Sequence, residues 1–548
     1  MPIRVATPAR EAYQYPLLIK QLLHTPLISA ADQEIVYRDL SRYTYATLSA
    51  RIAKLARGLA RLGVEAGTTV AIMDWDSHRY LESFFAIPMM GAVLHTVNVR
   101  LSQDQIAYTI RHAGARVLLV HRDFIPILSR IRSQLPALLT IILIADGAAV
   151  EGAFDWVVTE YEELIDSTRG GYEFKEFDEN ALATTFYTTG TTGDPKGVCF
   201  SHRQIVLHTL AALAACGTPA YGQSFRHGDV YMPMTPMFHV HAWGNPYVAT
   251  VLGVKQVYPG RYVPEELLRL RVRESVTFSH CVPTILKMLL SSARELGTDL
   301  RGWKMCIGGA ALTKGLAREA LEAGIDVYAG YGMSETCPAL TISRLTTKPE
   351  TMNLERELDL RCHAGLPVPL VELRVIDADQ VPVPRDGHSV GEIVARAPWL
   401  TPCYVGNAPA SEQLWRGGYL HTQDVGLIDP SGYLQITDRI KDVIKSGGEW
   451  ISSLQLEALI SMHPAVAEAA VVAVSDSRWG ERPHALIVPR PEHRSTLTSD
   501  EIRMYVAAAA TNGSVPPYAV PERITIVEAL ERTSVGKVDK RRLRELYP

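Results

Sequence analysis

Short apolar segments alternate with helical segments along most of the chain, and this alternation restricts the possible folds more than any other feature of the sequence. Residues 44–63, TYATLSARIAKLARGLARLG, carry leucine or isoleucine at every third or fourth position before Gly63. This pattern predicts one amphipathic helix that ends at a glycine. Strands between further helices are predicted for the aliphatic runs at 69–74, 115–121, 276–280 and 304–309. Such alternation favours an α/β fold of parallel sheets covered by helices.

The sequence changes character after about residue 430. There a basic segment that contains glycines, TDRIKDVIKSGGEW (437–450), leads into shorter alternating elements. We predict a large N-terminal domain of helix-covered sheets over 1–437, a hinge at 438–442 and a small α+β C-terminal domain over 443–548. A chain of 548 residues accommodates one large domain with a smaller partner, since a domain averages about 150 residues.

Composition and charge exclude several classes of protein. The 55 Lys and Arg residues are balanced by 59 Asp and Glu, so bulk electrostatics gives no reason to expect nucleic acid as the main partner. The apolar runs are shorter than the roughly 18 to 20 residues that span a bilayer, and the N-terminus lacks the apolar region of a cleaved signal. The seven cysteines lie at least 17 positions apart, which fits neither a zinc ribbon nor a disulfide framework. Reduced thiols in the core of a cytoplasmic protein are therefore expected.

The segment with the strongest chemical signal is TTGTTGDPKG at 188–197. Its three glycines allow backbone conformations closed to other residues, so that successive N–H groups can converge on an anion. Four threonine hydroxyls and Lys196 add donors, and phosphate is the natural ligand of such a loop. It is not a Walker A loop, because Lys196 follows Pro195 and the required glycine spacing is absent. On composition alone, a structural Thr/Gly-rich hairpin is the alternative interpretation.

Six further motifs follow this loop: PMFHVHAWG (236–244), GGAAL (308–312), YGMSET (331–336), HTQD (421–424), DRIKDVIKSGGEW (438–450) and RTSVGK (532–537). Together and in this order they resemble the adenylate-forming enzymes, the ANL superfamily, over nearly the whole chain. The sequences of segments 236–244 and 446–452 (SGGEWIS) are most similar to those of fatty acyl-CoA synthetases. The resemblance implies that ATP and a carboxylic acid give acyl-AMP and pyrophosphate, and that CoA then displaces AMP while the C-terminal domain rotates between the two steps.

The resemblance also implies the nucleotide site. It assigns ATP and AMP binding to Thr188, Thr189, Gly190, Thr191, Thr192, Gly193, Lys196, Gly309, Gly330, Tyr331, Gly332, Ser334, Thr336, Asp424, Arg439 and Lys441. In this assignment Tyr331 covers the adenine, Asp424 accepts from the ribose hydroxyls and Lys441 marks the bend between domains. Mg²⁺ would be held by oxygen atoms of Thr188 and Glu335, although a buried glutamate beside glycine turns can also be structural. Gln423 stands where the family usually has glycine, and a side chain there can alter the backbone of the loop.

Three residues are implied in catalysis: Lys537, His239 and Glu335. Two anions must approach each other in the reaction, and two unit charges 4 Å apart repel by about 4 kcal/mol even at an effective dielectric near 20. Lys537 would therefore contact both the carboxylate and the α-phosphate, although among its arginine neighbours it could be a solvated charge. His239 would line the floor of the carboxylate site. The acyl and CoA site is assigned to Val240, Trp243, Lys445, Gly447, Gly448 and Trp450.

The expected substrates are ATP, CoA and a medium- to long-chain aliphatic acid. Trp243 is placed where its ring could close an acyl tunnel, but it could equally be a packed core aromatic, and Lys445 could be a solvated face residue. Aryl, short thioether and terpenoid acids stay open, as does transfer of acyl-AMP to another protein. A silent nucleotide-binding homologue and a luciferase-like oxygenase are rivals from other classes. The resemblance leaves a homodimer open.

Overall fold

The structure is a computed structural model that describes residues 3–137, 139–147, 156–188, 194–447, 449–512, 515–532 and 538–548. Over these residues, two large sheets form the N-terminal part. One has seven strands in the order Val157–Glu160, Thr140–Ile144, Ala115–His121, Thr69–Met73, Val93–Thr96, Leu182–Thr188 and Lys196–Ser201. The other has nine in the order Leu366–Pro367, Ala339–Ile342, Ile325–Gly332, Trp303–Ile307, Phe278–Cys281, Val230–Pro233, Lys255–Tyr258, Glu34–Tyr37 and Ser41–Thr44.

The inner strand pairs of both sheets are parallel, and antiparallel pairs occur at the ends. Many strands are buried on both faces, as parallel sheets covered by helices require. The predicted helix at 44–63 is Tyr45–Arg61, with the Thr44 side chain accepting from the Thr47 N–H and Gly63 in the left-handed region. The predicted α/β fold of helix-covered parallel sheets is confirmed.

Helices cover these sheets and the C-terminal unit. Within the described ranges the α-helical segments are His24–Ser29, Tyr45–Arg61, His78–Met89, Gln103–His112, Ile125–Ile131, Tyr161–Ser167, His202–Gly217, Val240–Trp243, Asn245–Leu252, Pro264–Arg273, Pro283–Leu296, Lys314–Glu322, Leu354–Cys362, Ala408–Leu414, Ser453–Ser461, Ser499–Thr511 and Lys540–Leu546. None of the helices in the described part of the chain is both long enough and apolar enough to cross a bilayer.

One helix joins the two large sheets. Every residue of His78–Met89 is buried, and the helix contacts strands of both sheets. A helix that is buried on all sides must satisfy any charge it carries. Glu82 accepts from Arg51 at 2.6 Å, and Arg79 donates to Glu162 at 2.7 Å. These pairs let a charged helix occupy the layer between the sheets.

A third sheet was not predicted. It is antiparallel, with the order Glu372–Ile376, Gly391–Arg396, Leu420–Ile428 and Leu434–Arg439. Its strands mix buried and exposed positions without the continuous aliphatic runs of the parallel sheets. The HTQD motif lies in its third strand, so this sheet carries part of the site described below.

The C-terminal unit contains a mostly antiparallel sheet of five strands over the described residues. Their order is Glu449–Ile451, Ile444–Ser446, Gly480–Pro489 and Val466–Asp476, with Arg523–Ile526 parallel to Gly480–Pro489. The predicted α+β composition is present, with helices Ser453–Ser461, Ser499–Thr511 and Lys540–Leu546 beside the sheet. Strand Leu434–Arg439 extends two residues into the segment predicted as a hinge, and the domain boundaries stay predictions.

Candidate active site

One cavity of about 1770 Å³ opens where the third sheet and the C-terminal unit meet the carboxyl ends of the parallel strands. Residues 308–309 and 188, which follow or end parallel strands, line it, as do residues 422–424 of the third sheet. Arg532 and Val538 of the C-terminal unit also line it. Open α/β sheets bind ligands at the carboxyl ends of their strands, so this cavity is the candidate active site.

Glu335 is a buried carboxylate at the cavity wall, fixed by its neighbours. The Tyr404 hydroxyl donates to its Oε1 atom at 2.6 Å, and the Lys196 ammonium lies 4.8 Å from the centre of the Tyr404 ring. Burial raises the pKa of Glu335 above its usual value, while the hydrogen bond from Tyr404 lowers it. Thr188 lines the same cavity and pairs with Lys196 across a hairpin. The structure thus brings together the two oxygen donors predicted for Mg²⁺.

Asp424 is held on both of its carboxylate oxygens. The Tyr331 hydroxyl donates to Oδ2 at 2.7 Å, and the Arg439 guanidinium lies 3.1 Å from Oδ1. Asp424 and Arg439 also face each other on adjacent strands. A carboxylate has about four lone-pair positions, so these two contacts orient Asp424 and leave capacity for a diol.

Glycines make the wall between these two carboxylates. A Cβ on Gly332 would lie 1.8 Å from the Pro338 carbonyl oxygen, and one on Gly330 would lie 3.1 Å from a sulfur atom, Sγ of Cys306. Gly309 has a φ of 75°. The backbone can therefore approach a flat ligand closely here, and only glycine fits at 332 without displacing the neighbouring strand. Ser334 also lines the cavity.

Thr336 lies behind this wall. Its side chain is fully buried, and its hydroxyl oxygen accepts from the Met333 N–H at 3.0 Å. The same hydroxyl contacts the Pro338 carbonyl oxygen. These bonds tie it to the turn that carries Glu335, so any contribution of Thr336 to nucleotide binding is indirect.

The motif PMFHVHAWG forms a left-handed helical turn. The φ angles of Val240, His241, Ala242 and Trp243 are 49°, 53°, 48° and 58°, and Gly244 continues at 72°. For residues other than glycine, this conformation costs about 1–2 kcal/mol each. The turn directs Trp243 over Gly308, whose Cβ would meet the indole at 2.9 Å. His239, Val240 and Trp243 all line the cavity, and their assignment to the acid site stays a prediction.

Side chains from neighbouring strands form hydrogen bonds with this strained turn and with the residues just before it. His241 Nε2 lies 2.9 Å from the Thr184 hydroxyl, and burial lowers the pKa of His241 to about 3, so its imidazole is neutral. The buried Asp76 carboxylate accepts from the Met237 N–H at 2.9 Å, and Thr96 donates to the Phe238 carbonyl at 2.9 Å. These bonds offset part of the strain and fix the motif between the two large sheets.

Two family models match this chain. The model described as AMP-binding enzyme matches residues 29–405, and the model of the AMP-binding enzyme C-terminal domain matches residues 455–537. The chain belongs to the AMP-binding enzymes. The resemblance to adenylate-forming enzymes in the sequence motifs is thereby confirmed.

Individual relatives agree with this placement. The AMP-binding enzyme is 40% identical over 522 residues to the long-chain-fatty-acid–CoA ligase of Thermus thermophilus, covering 94% of this chain and 93% of the relative. It is 35% identical over 541 residues to the 3-methylmercaptopropionyl-CoA ligase of Ruegeria lacuscaerulensis, with 97% of each chain covered. The crystal structure of the anthranilate CoA ligase AuaEII in complex with anthranoyl-AMP superposes with a TM-score of 0.83 at 25% identity, covering 97% of this chain and 98% of that one. These matches confirm the predicted class, an AMP-forming acid–thiol ligase.

Some predicted site residues of this AMP-binding enzyme lie outside the described residues. They are Thr189, Gly190, Thr191, Thr192, Gly193, Gly448 and Lys537, and the side chain of Trp450. The residues on either side of the segment that contains Lys537, Arg532 and Val538, form a bridge with each other and line the cavity. Lys537 therefore belongs to a loop whose two ends are at the site.

The C-terminal positions predicted for CoA occupy a different face. Lys441 lines the cavity, and burial lowers the pKa of its ammonium group. Lys445 and Gly447 are exposed, and the Gly447 N–H donates to the Trp479 carbonyl at 2.7 Å. Among the described residues that line the cavity, neither of these two is present. Arg532 and Val538 of the C-terminal unit thus line the cavity, whereas Lys445 and Gly447 do not.

Sequence reasoning missed the residues that position the site. Tyr404 follows the segment LTPC, which has no recognisable motif. Thr184 and Asp76 lie far along the chain from His241 and Met237, the residues that they contact. The sequence signal for Tyr404 is weak, because its bridge to Val198 joins segments about 200 residues apart. For Asp76 the sequence does contain a signal: DWDSHR (74–79) has two aspartates directly after a buried strand. A charge among apolar residues needs a partner, so these aspartates are expected to bind other groups.

Gln423 offers a test of backbone strain in HTQD. Its φ is 60°, the left-handed conformation that glycine adopts without penalty. We expect Gln423→Gly to raise the free energy of unfolding by about 0.5–1 kcal/mol, the relieved strain less the added entropy of the unfolded chain. Gln435→Gly, at an exposed position of the adjacent strand, should have the opposite sign. Urea unfolding of both variants measures this, and equal destabilisation would show that Gln423 is unstrained.

Proposed function

We propose that this AMP-binding enzyme is an acyl-CoA synthetase for medium- to long-chain aliphatic acids. A carboxylate attacks the α-phosphorus of ATP to give acyl-AMP and pyrophosphate, and the CoA thiol then displaces AMP. ATP and CoA are substrates in this class of ligase. The observation that carries the proposal is that the residues predicted for nucleotide binding and a cluster of apolar side chains line the same cavity.

The apolar part of the cavity lining supports an aliphatic acid. Besides Trp243, it contains side chains of one hydrophobic cluster that are fully or partly buried: Ala212, Cys216, Phe278, Cys306, Tyr328 and Ile342. Typical ligand pockets measure about 300–1,000 Å³, so a cavity of about 1770 Å³ has room for a nucleotide and a second substrate. These lining groups offer mainly dispersion contacts, which suit methylene groups better than charges.

The carboxylates and cations of the site divide the work of adenylation. Asp424 would orient the ribose, and the glycines at 309, 330 and 332 would let the backbone approach the adenine beside Tyr331. Lys196 and Lys537 would offset the charge of the phosphates, while His239, which lines the cavity, would contact the acid carboxylate. Such preorganised charges are the main source of rate enhancement in reactions of this kind.

The donor set fits a magnesium ion. Glu335 and Thr188 supply oxygen atoms, the ligand type that Mg²⁺ prefers, and ATP would supply others. The described residues contain no cluster of three or more His, Cys, Asp or Glu side chains able to hold a metal, so a metal shared with phosphate fits this site better than an all-protein cage. When bound, the ion supplies charge neutralisation at the phosphates. Glu335 contributes a fixed carboxylate whose buried charge needs such a partner.

A chain-length panel tests the proposed substrate. We expect AMP release that requires both CoA and an acid, with the highest kcat/KM between octanoate and palmitate. A maximum at 3-methylthiopropionate would favour the second candidate, a short thioether acid, which the 35% identical relative supports. Turnover with benzoates alone would contradict the proposal. AMP release that needs acid but not CoA would indicate transfer of acyl-AMP to a protein.

Location and assembly belong to the same proposal. The seven cysteines are all free and mostly buried, which fits the predicted cytoplasmic location. A homodimer stays a prediction of the family resemblance, and light scattering of the purified enzyme tests it. We likewise propose that the hinge at 438–442 separates an N-terminal domain from a mobile C-terminal domain.

Tyr404→Phe should change the pH dependence of adenylation. The Tyr404 hydrogen bond stabilises the ionised form of Glu335 and so lowers its pKa, and removing it raises that pKa further. If the carboxylate is the active form, the enzyme is active at high pH and loses activity as the pH falls through the pKa of Glu335. In the variant this loss begins at a higher pH than in the wild type. We expect the acidic limb of kcat/KM for pyrophosphate exchange to move to higher pH, because the variant lacks the hydrogen bond that lowers the pKa of Glu335. Tyr419→Phe, which removes a bond to the exposed Glu372, is the control, and an unchanged profile would contradict this role.

A further inference from the structure

A β-bulge on the C-terminal unit faces the large N-terminal part. In the hairpin of Val466–Asp476 and Gly480–Pro489, Val466 pairs with Pro489 and Glu468 pairs with Val488. Ala467 is therefore the extra residue of a bulge, and its carbonyl accepts from the Lys287 ammonium at 2.7 Å. Lys287 belongs to helix Pro283–Leu296. Bulges re-aim backbone groups that the ladder would otherwise use, and this one provides an acceptor for the other domain.

The next residue extends this contact to the loop of Lys537. Glu468 Oε1 lies 3.5 Å from the Lys287 ammonium, and its Oε2 accepts from Arg532 at 2.5 Å. Arg532 forms a bridge with Val538, so these two residues close the loop that contains Lys537. A chain of polar contacts thus runs from a helix at the cavity wall to the base of that loop.

The strength of this chain suits a reversible contact. The three charged side chains are 39%, 30% and 31% exposed, and each exposed ion pair shifts an equilibrium by less than about five-fold. A hydrogen bond and two ion pairs acting together can shift it about 5- to 30-fold. Such a contact is sufficient to favour one domain orientation and weak enough to break in each catalytic cycle.

We propose that Lys287, Glu468 and Arg532 form an interdomain latch that holds the C-terminal unit in the orientation for adenylation and opens for thioester formation. The three are positioning residues, because they act through the orientation of the C-terminal unit. This inference rests on the proposed two-step function. It adds that the orientation with the 532–538 loop at the cavity is stabilised by specific residues, and that their loss affects the two steps differently.

The experiment measures the two half-reactions separately in Lys287→Met and Glu468→Gln. Acid-dependent ATP–pyrophosphate exchange reports adenylation, and a single turnover of synthetic acyl-AMP with CoA reports thioester formation. We expect exchange to fall about 5- to 30-fold in each variant, while the single turnover is as fast as in the wild type or faster. The double variant should lose little more than either single one, because the residues act as one unit.

A matched control lies on the neighbouring helix Pro264–Arg273. Arg269 pairs with Glu266 at 2.7 Å, and both belong to the N-terminal part and do not line the cavity, so Arg269→Met should leave both half-reactions within about two-fold of the wild type. Equal losses in both half-reactions, or no loss in either, would overturn the latch. Loss in Lys287→Met alone would also overturn it, since it would indicate that Lys287 contacts the phosphates directly. If the wild-type enzyme showed no exchange at all, the proposed function would be refuted instead. Trypsin cleavage after Arg439 or Lys441 would then test the latch. We expect faster cleavage in both variants than in the wild type, and equal cleavage rates would contradict the latch.

Discussion

Replacement of Lys537 by alanine is expected to slow acyl-adenylate formation by at least about 10²-fold, the effect of losing one preorganised electrostatic stabiliser. The reaction joins two anions, and their repulsion must be offset when the carboxylate reaches the α-phosphorus. Arg532 and Val538 place the ends of the Lys537 loop at the cavity that Glu335 and Asp424 line. An ammonium group on this loop can therefore act on both reactants, and pyrophosphate exchange measures the loss.

Arg542, a cation close to Lys537 in the sequence, is the control that separates a specific role of Lys537 from a general effect of positive charge. Arg542 is 54% exposed and pairs with Glu545 on the last helix, so Arg542→Ala should leave the exchange rate within about two-fold. The thioester step from synthetic acyl-AMP should survive in Lys537→Ala, because the family resemblance assigns Lys537 to the adenylation step and a different face of the C-terminal domain to the thioester step. Pyrophosphate exchange at the wild-type rate in this variant would remove Lys537 from the mechanism.

Glu335→Gln is expected to lower the rate of adenylation by about 10²-fold or more and to weaken its dependence on Mg²⁺ concentration. Glutamine keeps the size of the side chain and can still accept from Tyr404, but it lacks the charge that a divalent cation requires. Exchange measured over a magnesium titration should show a higher half-saturating concentration. The change would be largest at low magnesium, where metal binding limits the rate.

The opposite outcome has a clear meaning as well. If Glu335 only stabilises the fold, Glu335→Gln would change the thermal midpoint and leave the magnesium dependence intact. Because a buried neutral amide costs less than a buried unpaired charge, the apo protein is expected to be at least as stable in the variant. Glu372→Gln is the control: Glu372 also accepts a tyrosine hydroxyl, at 2.5 Å, but is exposed on the edge of the third sheet.

Periodic and composition-driven features were predictable from the sequence. The helix at Tyr45–Arg61 and the strands at Thr69–Met73 and Ala115–His121 follow from local spacing of apolar residues. The proximity of Gly332 and Glu335 follows from the motif YGMSET, in which they lie three positions apart. These features depend on short-range order, which the sequence displays directly.

Long-range contacts and strained backbone were not predictable. Nothing in HVHAW indicates a left-handed turn, because none of its residues favours that conformation and the contacts that stabilise it come from Asp76, Thr96 and Thr184. Tyr404 reaches Glu335 only because distant segments meet. The contact of Lys287 with a bulge carbonyl depends on a register shift that a single sequence does not reveal. In each case, tertiary contacts outweigh local preference.

The left-handed turn of Val240–Trp243 has a consequence for engineering the enzyme toward other acids. A β-branched residue at Ala242 would add crowding to a conformation already unfavourable for L-amino acids, whereas glycine would relax it and release the indole from its fixed direction. Libraries should therefore keep these four residues constant and vary Cys216, Cys306 and Phe278, whose side chains border the cavity from ordinary backbone. The turn keeps the backbone and the direction of Trp243 constant, and selectivity for the acid can be redesigned in the residues around it.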